Sequence, residues 1–388
     1  MQIKNRNLFR ATRFILLNLP WLLKIFTKTR TPRKRLLLVK IDAIGDYILS
    51  RNFIEIVRAS EKFSGYQIDL IGNELWRDIA LKHDSIFVDN FYFIRPDELY
   101  ESPVQTLKLA FKLFSNRYEV VLQSTFSRTF IGDGLAGFAA AEQTIAFESD
   151  TERIDPKYKS KTDRFYSELL TIPTIMLFEF DRSKFFFETV LQQPAYIVAS
   201  PFLDIEHGKK SGIVIFPGAG VSKRSWEPGK FVELIKLLSK ETSHNIWLAG
   251  DAADEKAGGF ITQSLHAGTV TDLTGKTSLA QLIELIANAA LVIGNETSAI
   301  HIAAAVKTNS VCILGGGHFE RFAPYHPDVT FAPVCVFEKM NCYGCNWSCR
   351  FKVADGEPFP CISSIKVADV FNAAQQLLWL ARVINTRQ

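Results

Sequence analysis

From Arg35 onward the chain alternates short apolar runs with longer stretches in which apolar residues return every three or four positions. A continuous apolar run suits a strand buried on both faces, and the longer spacing suits an amphipathic helix. The first run is RLLLVK (Arg35 to Lys40), followed by the turn IDAIGDY and an amphipathic stretch to about Ala59. Further strands are predicted at Gln67 to Ile71, Phe87 to Phe93 and Glu119 to Gln123, with helical stretches such as Pro103 to Ser115 between them. Around Phe178 to His207 the pattern turns irregular, and Pro194 and Pro201 bracket an extended stretch. A second series then starts, with strands predicted at Ile213 to Phe216, Asn245 to Ala249, Val270 to Leu273, Leu291 to Ile293 and Ser310 to Leu314. Each except the last precedes a helix-like run. Such alternation implies an α/β fold built on mainly parallel sheets with helices on both faces. At 388 residues the chain exceeds what one core usually serves, so two Rossmann-like domains are expected, 35–190 and 191–388, behind an arm at 1–34. Domains of this kind commonly hold ligands in the cleft between them.

The arm differs from the body in charge. Of the 45 Lys and Arg, ten fall in the first 35 residues, which hold no acid; the remainder carries 35 basic residues against all 41 acidic ones. An acidic body argues against a nucleic-acid-binding protein and leaves a basic N-terminal arm. Within the arm, FILLNLPWLLKIF (Phe14 to Phe26) is shorter than the roughly twenty apolar residues that a bilayer span needs. No Ala-x-Ala-like cleavage site follows. Its composition suits a helix lying on an anionic membrane surface, the alternatives being a mobile extension or a helix docked on the body. On the first reading the arm is separable, and deleting residues 1–30 leaves a folded body.

Two turns carry the candidate chemistry. In LIANAALVIGNETSAIHIAA (residues 285–304) a helix leads into a buried strand that opens into a polar turn and a further helix. Gly294, Asn295, Glu296, Thr297 and Ser298 then sit outside the carboxyl end of a strand, where helix-start N–H groups face a ligand, and His301 lies one helical turn further in. GIVIFPGAGVSKRSW (Gly212 to Trp226) repeats the logic with a Gly-rich turn and two cations, Lys223 and Arg224, able to neutralise a diphosphate.

Of six cysteines, Cys312 and Cys335 read as small core residues. The other four form Cys342-x-x-Cys345-x-x-x-Cys349, with Cys361 eleven intervening residues later. Four thiolates suit a structural zinc, and an iron–sulfur site and free or redox-paired thiols are the alternatives. The segment is expected to lie away from the transfer chemistry.

Four blocks together resemble glycosyltransferase family 9, the heptosyltransferase family of lipopolysaccharide core assembly. They are LLLVKIDAIGDYILS, FPGAGVSKRSWEPGKFVEL, LTGKTSLAQLIELIANAALVIGNETSAIHIAAA and the Cys-containing segment before the last helix. The resemblance implies the GT-B fold, with the acceptor on the first domain and the nucleotide sugar mainly on the second. It implies Asp46 as the base that takes a proton from the attacking sugar hydroxyl, a task a carboxylate suits; the alternative is an Asp capping the following helix. Gly45, Gly218, Ala219, Lys223, Arg224, Glu296, Thr297, Ser298 and His301 fall at donor-binding positions. Counting from Trp226 places Arg224 at the family's cationic position. Glu296 stands where the family has Asp, and Ser298 where it has Gly.

No Walker motif, no Asp-x-Asp pair for Mg²⁺ and no GxGxxG after the first strand are found, which disfavours an NTPase, a metal-dependent transferase and a dehydrogenase. The expected protein is an inverting, metal-independent transferase moving heptose or a related sugar from an ADP-activated donor to a lipid-linked saccharide. It is expected to work at the inner face of the cytoplasmic membrane, peripherally attached, with no cofactor required for transfer. The alternatives are a catalytically silent nucleotide-sugar-binding or scaffold protein, and a transferase of another sugar to another surface glycan.

Overall fold

A computed structural model of the chain describes residues 3–174, 176–194 and 198–385. The chain forms two compact units, Met1–Met176 with Phe180–Val198, and Leu177–Glu179 with Ala199–Gln388.

In the first unit α1 (Arg6–Ile25) precedes β1 (Arg33–Lys40), α2 (Ile44–Ser50), α3 (Asn52–Ala59), β2 (Gln67–Asn73), α4 (Arg77–His83) and β3 (Asn90–Ile94). There follow α5 (Pro96–Leu99), α6 (Pro103–Ser115), β4 (Tyr118–Gln123), α7 (Phe130–Phe138), β5 (Gln143–Phe147), α8 (Pro156–Thr162), β6 (Glu168–Leu170) and α9 (Glu179–Leu191). The strands are parallel in the order β3-β2-β1-β4-β5-β6. The second unit repeats the plan with β7 (Ile213–Phe216), α10 (Pro228–Glu241), β8 (Ile246–Leu248), α11 (Glu255–Gln263), β9 (Thr271–Asp272), α12 (Leu279–Asn288), β10 (Leu291–Asn295) and α13 (Ser298–Ala305). β11 (Ser310–Ile313), β12 (Val334–Val336), α14 (Pro360–Ser363) and α15 (Val367–Asn385) complete it. Its order is β12-β11-β10-β7-β8-β9, again all parallel. Central strands read as unbroken apolar runs because helices cover both faces, as with Ile213–Phe216, buried throughout. In both sheets the order reverses once, between β1 and β4 and between β7 and β10, and such switch points open a crevice at the strands' carboxyl ends.

Two expectations are corrected. The irregular stretch from Phe178 contains α9, whose Phe180, Phe186, Phe187, Val190 and Leu191 are buried at helical spacing; the run Phe185-Phe186-Phe187 hides that period in the sequence. Phe187 stacks on Phe53 of α3, ring centroids 5.5 Å apart. Within the expected extended stretch, residues 195–197 lie outside the described residues. The arm, secondly, is neither mobile nor separable. α1 buries Thr12, Leu16, Leu17 and Pro20. Its partner α7 presents glycines to it: a Cβ at Gly134 would come within 2.6 Å of Leu16, and one at Gly137 within 2.7 Å of Pro20. Leu16 and Leu17 belong to the same core as Leu37, Val39 and Val121 of the sheet. Deleting residues 1–30 therefore removes core, and the truncated chain loses packing that the full chain needs.

Candidate active site

In the first unit the strand-to-helix turn after β1 carries Asp42, Gly45 and Asp46. Ala43 caps α2 without a side-chain bond, and Asp46 stands in the first helical turn. The turn is held from below. Asn73 Nδ2 donates to the carbonyls of Ile41 and Asp42, both at 3.2 Å, and Trp76 Nε1 donates to Asp42 at 3.0 Å. Trp76 stacks flat on Tyr47, 3.8 Å between centroids, and the Tyr47 hydroxyl donates to Asp84 at 2.5 Å. Gly72 is needed here, since a Cβ would lie 1.9 Å from the Trp76 ring. Sequence reasoning passed over Asp42. Its carboxylate pairs with Lys40 at 3.0 Å and accepts from Thr125 at 2.5 Å, tying β1 to the chain beyond β4 across the switch point. Burial opposes its ionisation, yet Lys40 and the Thr125 hydroxyl outweigh that and hold its pKa below the usual carboxylate value.

Asn295 performs the same tie in the second unit. Fully buried at the end of β10, it donates from Nδ2 to the carbonyls of Pro217 (2.9 Å) and Gly218 (3.1 Å) and accepts the Trp226 N–H at 2.9 Å. Trp226, also fully buried, donates its indole N–H to Ile365 at 3.1 Å. The Gly-rich loop and the short 3-10 turn Ser222–Arg224 are thus suspended between two buried anchors. Gly218 meets the protein's own packing demand, because a Cβ there would sit 1.6 Å from the Asp254 carboxylate. Gly218, Ala219 and Val221 border a cavity of about 500 Å³ completed by Trp226, Lys256 and Phe260.

Glu296 follows Asn295. Its Oε2 is buried and has no hydrogen-bond partner among the described residues. Burial pushes its pKa up to about 8, against the opposing pull of Arg224 and Arg321. Thr297 caps α13 but its hydroxyl makes no capping bond, and Ser298 is the first helical residue. His301 is buried, with Nδ1 2.7 Å from the Tyr325 hydroxyl, and desolvation lowers its pKa to about 4. It is therefore neutral near pH 7 and brings no positive charge to the turn.

The raised pKa of Glu296 has a stability consequence. Its carboxyl stays protonated in the folded protein up to about 8, whereas the unfolded chain ionises near the ordinary value of 4.5. Stability contributed by the neutral form is therefore lost as pH rises through that window. Glu296→Gln removes the penalty, and its melting temperature should exceed that of the parent by roughly 2–8 °C at pH 8 and match it at pH 4. Identical melting at both pH values would place the carboxyl in water.

The two cations diverge. Lys223 Nζ lies 3.5 Å from the exposed carboxylate of Asp355. Arg224 lies over the Trp347 ring, 4.6 Å from its centroid, within electrostatic reach of Glu296. Trp347 belongs to the Cys-containing segment, so that segment, expected to lie away from the chemistry, reaches the candidate turn at Arg224. Its ring packs under the loop after β11, where a Cβ at Gly317 would come within 2.1 Å, and its indole N–H donates to His318 Nδ1 at 3.2 Å. No feature of the sequence marked Trp347 or Arg321. Cys342, Cys345, Cys349 and Cys361 line one small cavity with Tyr343 and Trp347, and all six cysteines are free. Among the described residues no three His, Cys, Asp or Glu side chains are gathered closely enough to hold a metal ion. Cys312 is buried, and Cys335, its register partner on the edge strand β12, is half-buried.

Two parallel six-stranded units of the same strand order, each with a polar turn tied across its switch point, define the Rossmann-like halves of a GT-B protein. The profile of glycosyltransferase family 9 (heptosyltransferase) matches residues 134–347. The chain belongs to that family. It is 30% identical over 177 residues to lipopolysaccharide heptosyltransferase 3 of Escherichia coli K12, a match covering 45% of this chain and 49% of that protein. The chain thus spans about half the length of that curated relative. Two solved structures share the fold across nearly the whole chain. E. coli ADP-heptose lps heptosyltransferase II is 17% identical, with 90% of this chain and 99% of that chain covered at a TM-score of 0.63. E. coli heptosyltransferase WaaC with ADP-2-deoxy-2-fluoro heptose is 18% identical, with 89% and 98% covered at 0.59.

Proposed function

We propose that the protein is an inverting glycosyltransferase that moves heptose, or a related sugar, from an ADP-activated donor to a lipid-linked saccharide such as lipopolysaccharide core. One observation carries the reading: at the end of β10 the buried tie of Asn295 holds the Gly-rich loop, and beside it stand Arg224 and Glu296, whose Oε2 is buried without a hydrogen-bond partner among the described residues. The solved relative with ADP-2-deoxy-2-fluoro heptose supports the choice of donor.

In this reading the cavity beside Ala219 takes the nucleoside, and Gly45 leaves the turn next to Asp46 without a side chain. Arg224, Thr297 and the N–H groups at Ser298 hold the diphosphate, while Glu296 accepts hydrogen bonds from sugar hydroxyls. Lys223 adds positive charge at longer range. Asp46 takes the proton of the acceptor hydroxyl as its oxygen attacks the anomeric carbon, the bond from that carbon to the phosphate oxygen breaks, and the ADP leaves with its new charge met by Arg224. The transfer is written without a cofactor, and work on a lipid-linked acceptor places the protein peripherally at the inner face of the cytoplasmic membrane. The test is release of nucleotide from a panel of nucleotide sugars, with and without lipopolysaccharide acceptors. Turnover of ADP-heptose above the others is the expected result; tight binding without turnover of any donor would make this a silent binding protein.

Trp347 enters the same account as the platform beneath Arg224. Trp347→Ala should weaken donor binding by roughly 3- to 30-fold, the worth of a partly desolvated cation–π contact, with Trp347→Phe retaining most of it. Calorimetric titration of ADP reads the difference, and unchanged affinity in the Ala variant would leave the ring as packing alone.

The structural zinc expected at Cys342, Cys345, Cys349 and Cys361 does not fit their placement, since no three of them are gathered closely enough to hold a metal ion, and the reading keeps them as free thiols. Metal analysis with thiol counting on anaerobically purified protein tests it: four reactive thiols and no metal are expected, and bound metal would restore the zinc.

A further inference from the structure

α1 and α6 lie side by side on the first unit and run the same way. The amides of Lys4 and Asn5 donate to the carboxylate of Glu101 just ahead of α6, at 2.5 and 2.8 Å. At the other end Phe26 meets Phe114 in the last turn of α6, and Arg30 donates to the Phe114 carbonyl at 2.6 Å. α1 turns Thr12, Leu16, Leu17 and Pro20 inward. On its opposite side Phe14, Trp21 and Ile25 recur seven and four positions apart, with Leu22 beside them; Phe14 and Ile25 are each 68% exposed. α6 repeats the arrangement, with Thr106, Ala110 and Leu113 inward and Val104, Leu107 and Phe111 outward, the last 75% exposed.

Scattered exposed apolar residues are ordinary, but two neighbouring helices that each present an outward apolar stripe are not. Charge states what covers them. Neither helix contains an acidic residue, and exposed Arg6, Arg10 and Lys24 on α1 and Lys108 and Lys112 on α6 accompany the stripes. No helix among the described residues is long and apolar enough to cross a membrane. Apolar side chains on one face with cations alongside fit the headgroup boundary of an anionic leaflet, where area burial and charge attraction add.

We propose that α1 and α6 together form the surface by which this protein rests on an anionic phospholipid bilayer, Phe14 and Phe111 entering the acyl boundary and the flanking cations meeting the headgroups. The proposal deepens the reading of a lipid-linked acceptor and gives α6, which carries none of the basic arm, half of the contact.

The full chain is sedimented with vesicles of phosphatidylglycerol and phosphatidylethanolamine, and with vesicles of phosphatidylcholine alone. The parent should bind the anionic vesicles and lose binding as salt rises. Phe14→Glu and Phe111→Glu should each lower the partition coefficient by about ten-fold, from lost apolar burial. Ile86→Glu, at a residue 77% exposed but outside both helices, should bind like the parent. Thermal unfolding of each variant shows that the fold is kept. Parent-like vesicle binding by Phe111→Glu overturns the proposal, as does a parent that ignores anionic vesicles. A dimer in sedimentation velocity that Phe111→Glu dissolves, with no vesicle binding, overturns it in favour of a second copy. Turnover of ADP-heptose with a soluble acceptor is followed in parallel. Its absence with vesicle binding intact counts against the transferase reading alone, and intact turnover without vesicle binding counts against this surface alone.

Discussion

Asparagine in place of Asp46 is expected to lower turnover by about two to four orders of magnitude while the donor binds as before, the usual worth of a positioned general base. The substitution keeps shape while removing the charge and the capacity to take a proton. Little else should change, because α2 is fixed by other residues: Tyr47 on Trp76, and Arg51 paired to Asp84 at 2.6 Å. Asp42, four residues earlier in the same turn, is the competing carboxylate. Its Oδ2 is engaged by both Lys40 and Thr125, which hold its pKa below the usual carboxylate value and make it a poor proton acceptor. Asp42→Asn should therefore disturb the turn and cost less in turnover than Asp46→Asn. Steady-state release of ADP, with donor affinity measured separately, distinguishes the two. Near-parental turnover in Asp46→Asn would end its assignment as base.

Much of the scaffold is legible from strand periodicity. β4 and β7 are near or at their sequence-predicted bounds because buried parallel strands write themselves as apolar runs. Short edge-side strands escape this rule: Glu168–Leu170 and Val334–Val336 are three residues each, with a partly exposed pattern that no period can register. β5 was also missed, although four of its five residues are buried. α1 misled for a related reason, since composition reports its basic, apolar character but not that Gly134 and Gly137 on a distant helix leave room for Leu16 and Pro20. The candidate site divides the same way. Turn residues at strand ends, such as Asp46, Arg224 and Glu296, announce themselves through their position after an apolar run. The groups that hold them do not, because Asn295 acts on Pro217 and Trp226, 78 and 69 positions away, and Trp347 reaches Arg224 across the five strands β8 to β12.

Arg224 and Lys223 are adjacent in sequence, yet their substitutions are expected to differ widely. Arg224→Ala should slow transfer by about 10²- to 10³-fold and weaken donor binding, the scale seen when a preorganised charge is withdrawn from a developing anion. Lys223→Ala should stay within a few-fold. Lys223 leans toward Asp355, whose carboxylate is fully exposed, and a pair of that kind is screened by water and contributes little. Arg224 is held differently: the Trp347 ring backs its guanidinium from one side, and it acts electrostatically on half-buried Glu296. A guanidinium so backed pays less ordering entropy when a diphosphate arrives, and it can offer two parallel donors to it. Arg224→Lys keeps the charge but not that fork, so it should fall between the parent and Arg224→Ala. The rates of ADP release and the affinity for ADP, measured across the three variants, decide the matter. Equal and small effects at both positions would make the pair a solvated face and move the leaving-group charge to the N–H groups at the start of α13, with Arg321 the remaining cation near Glu296.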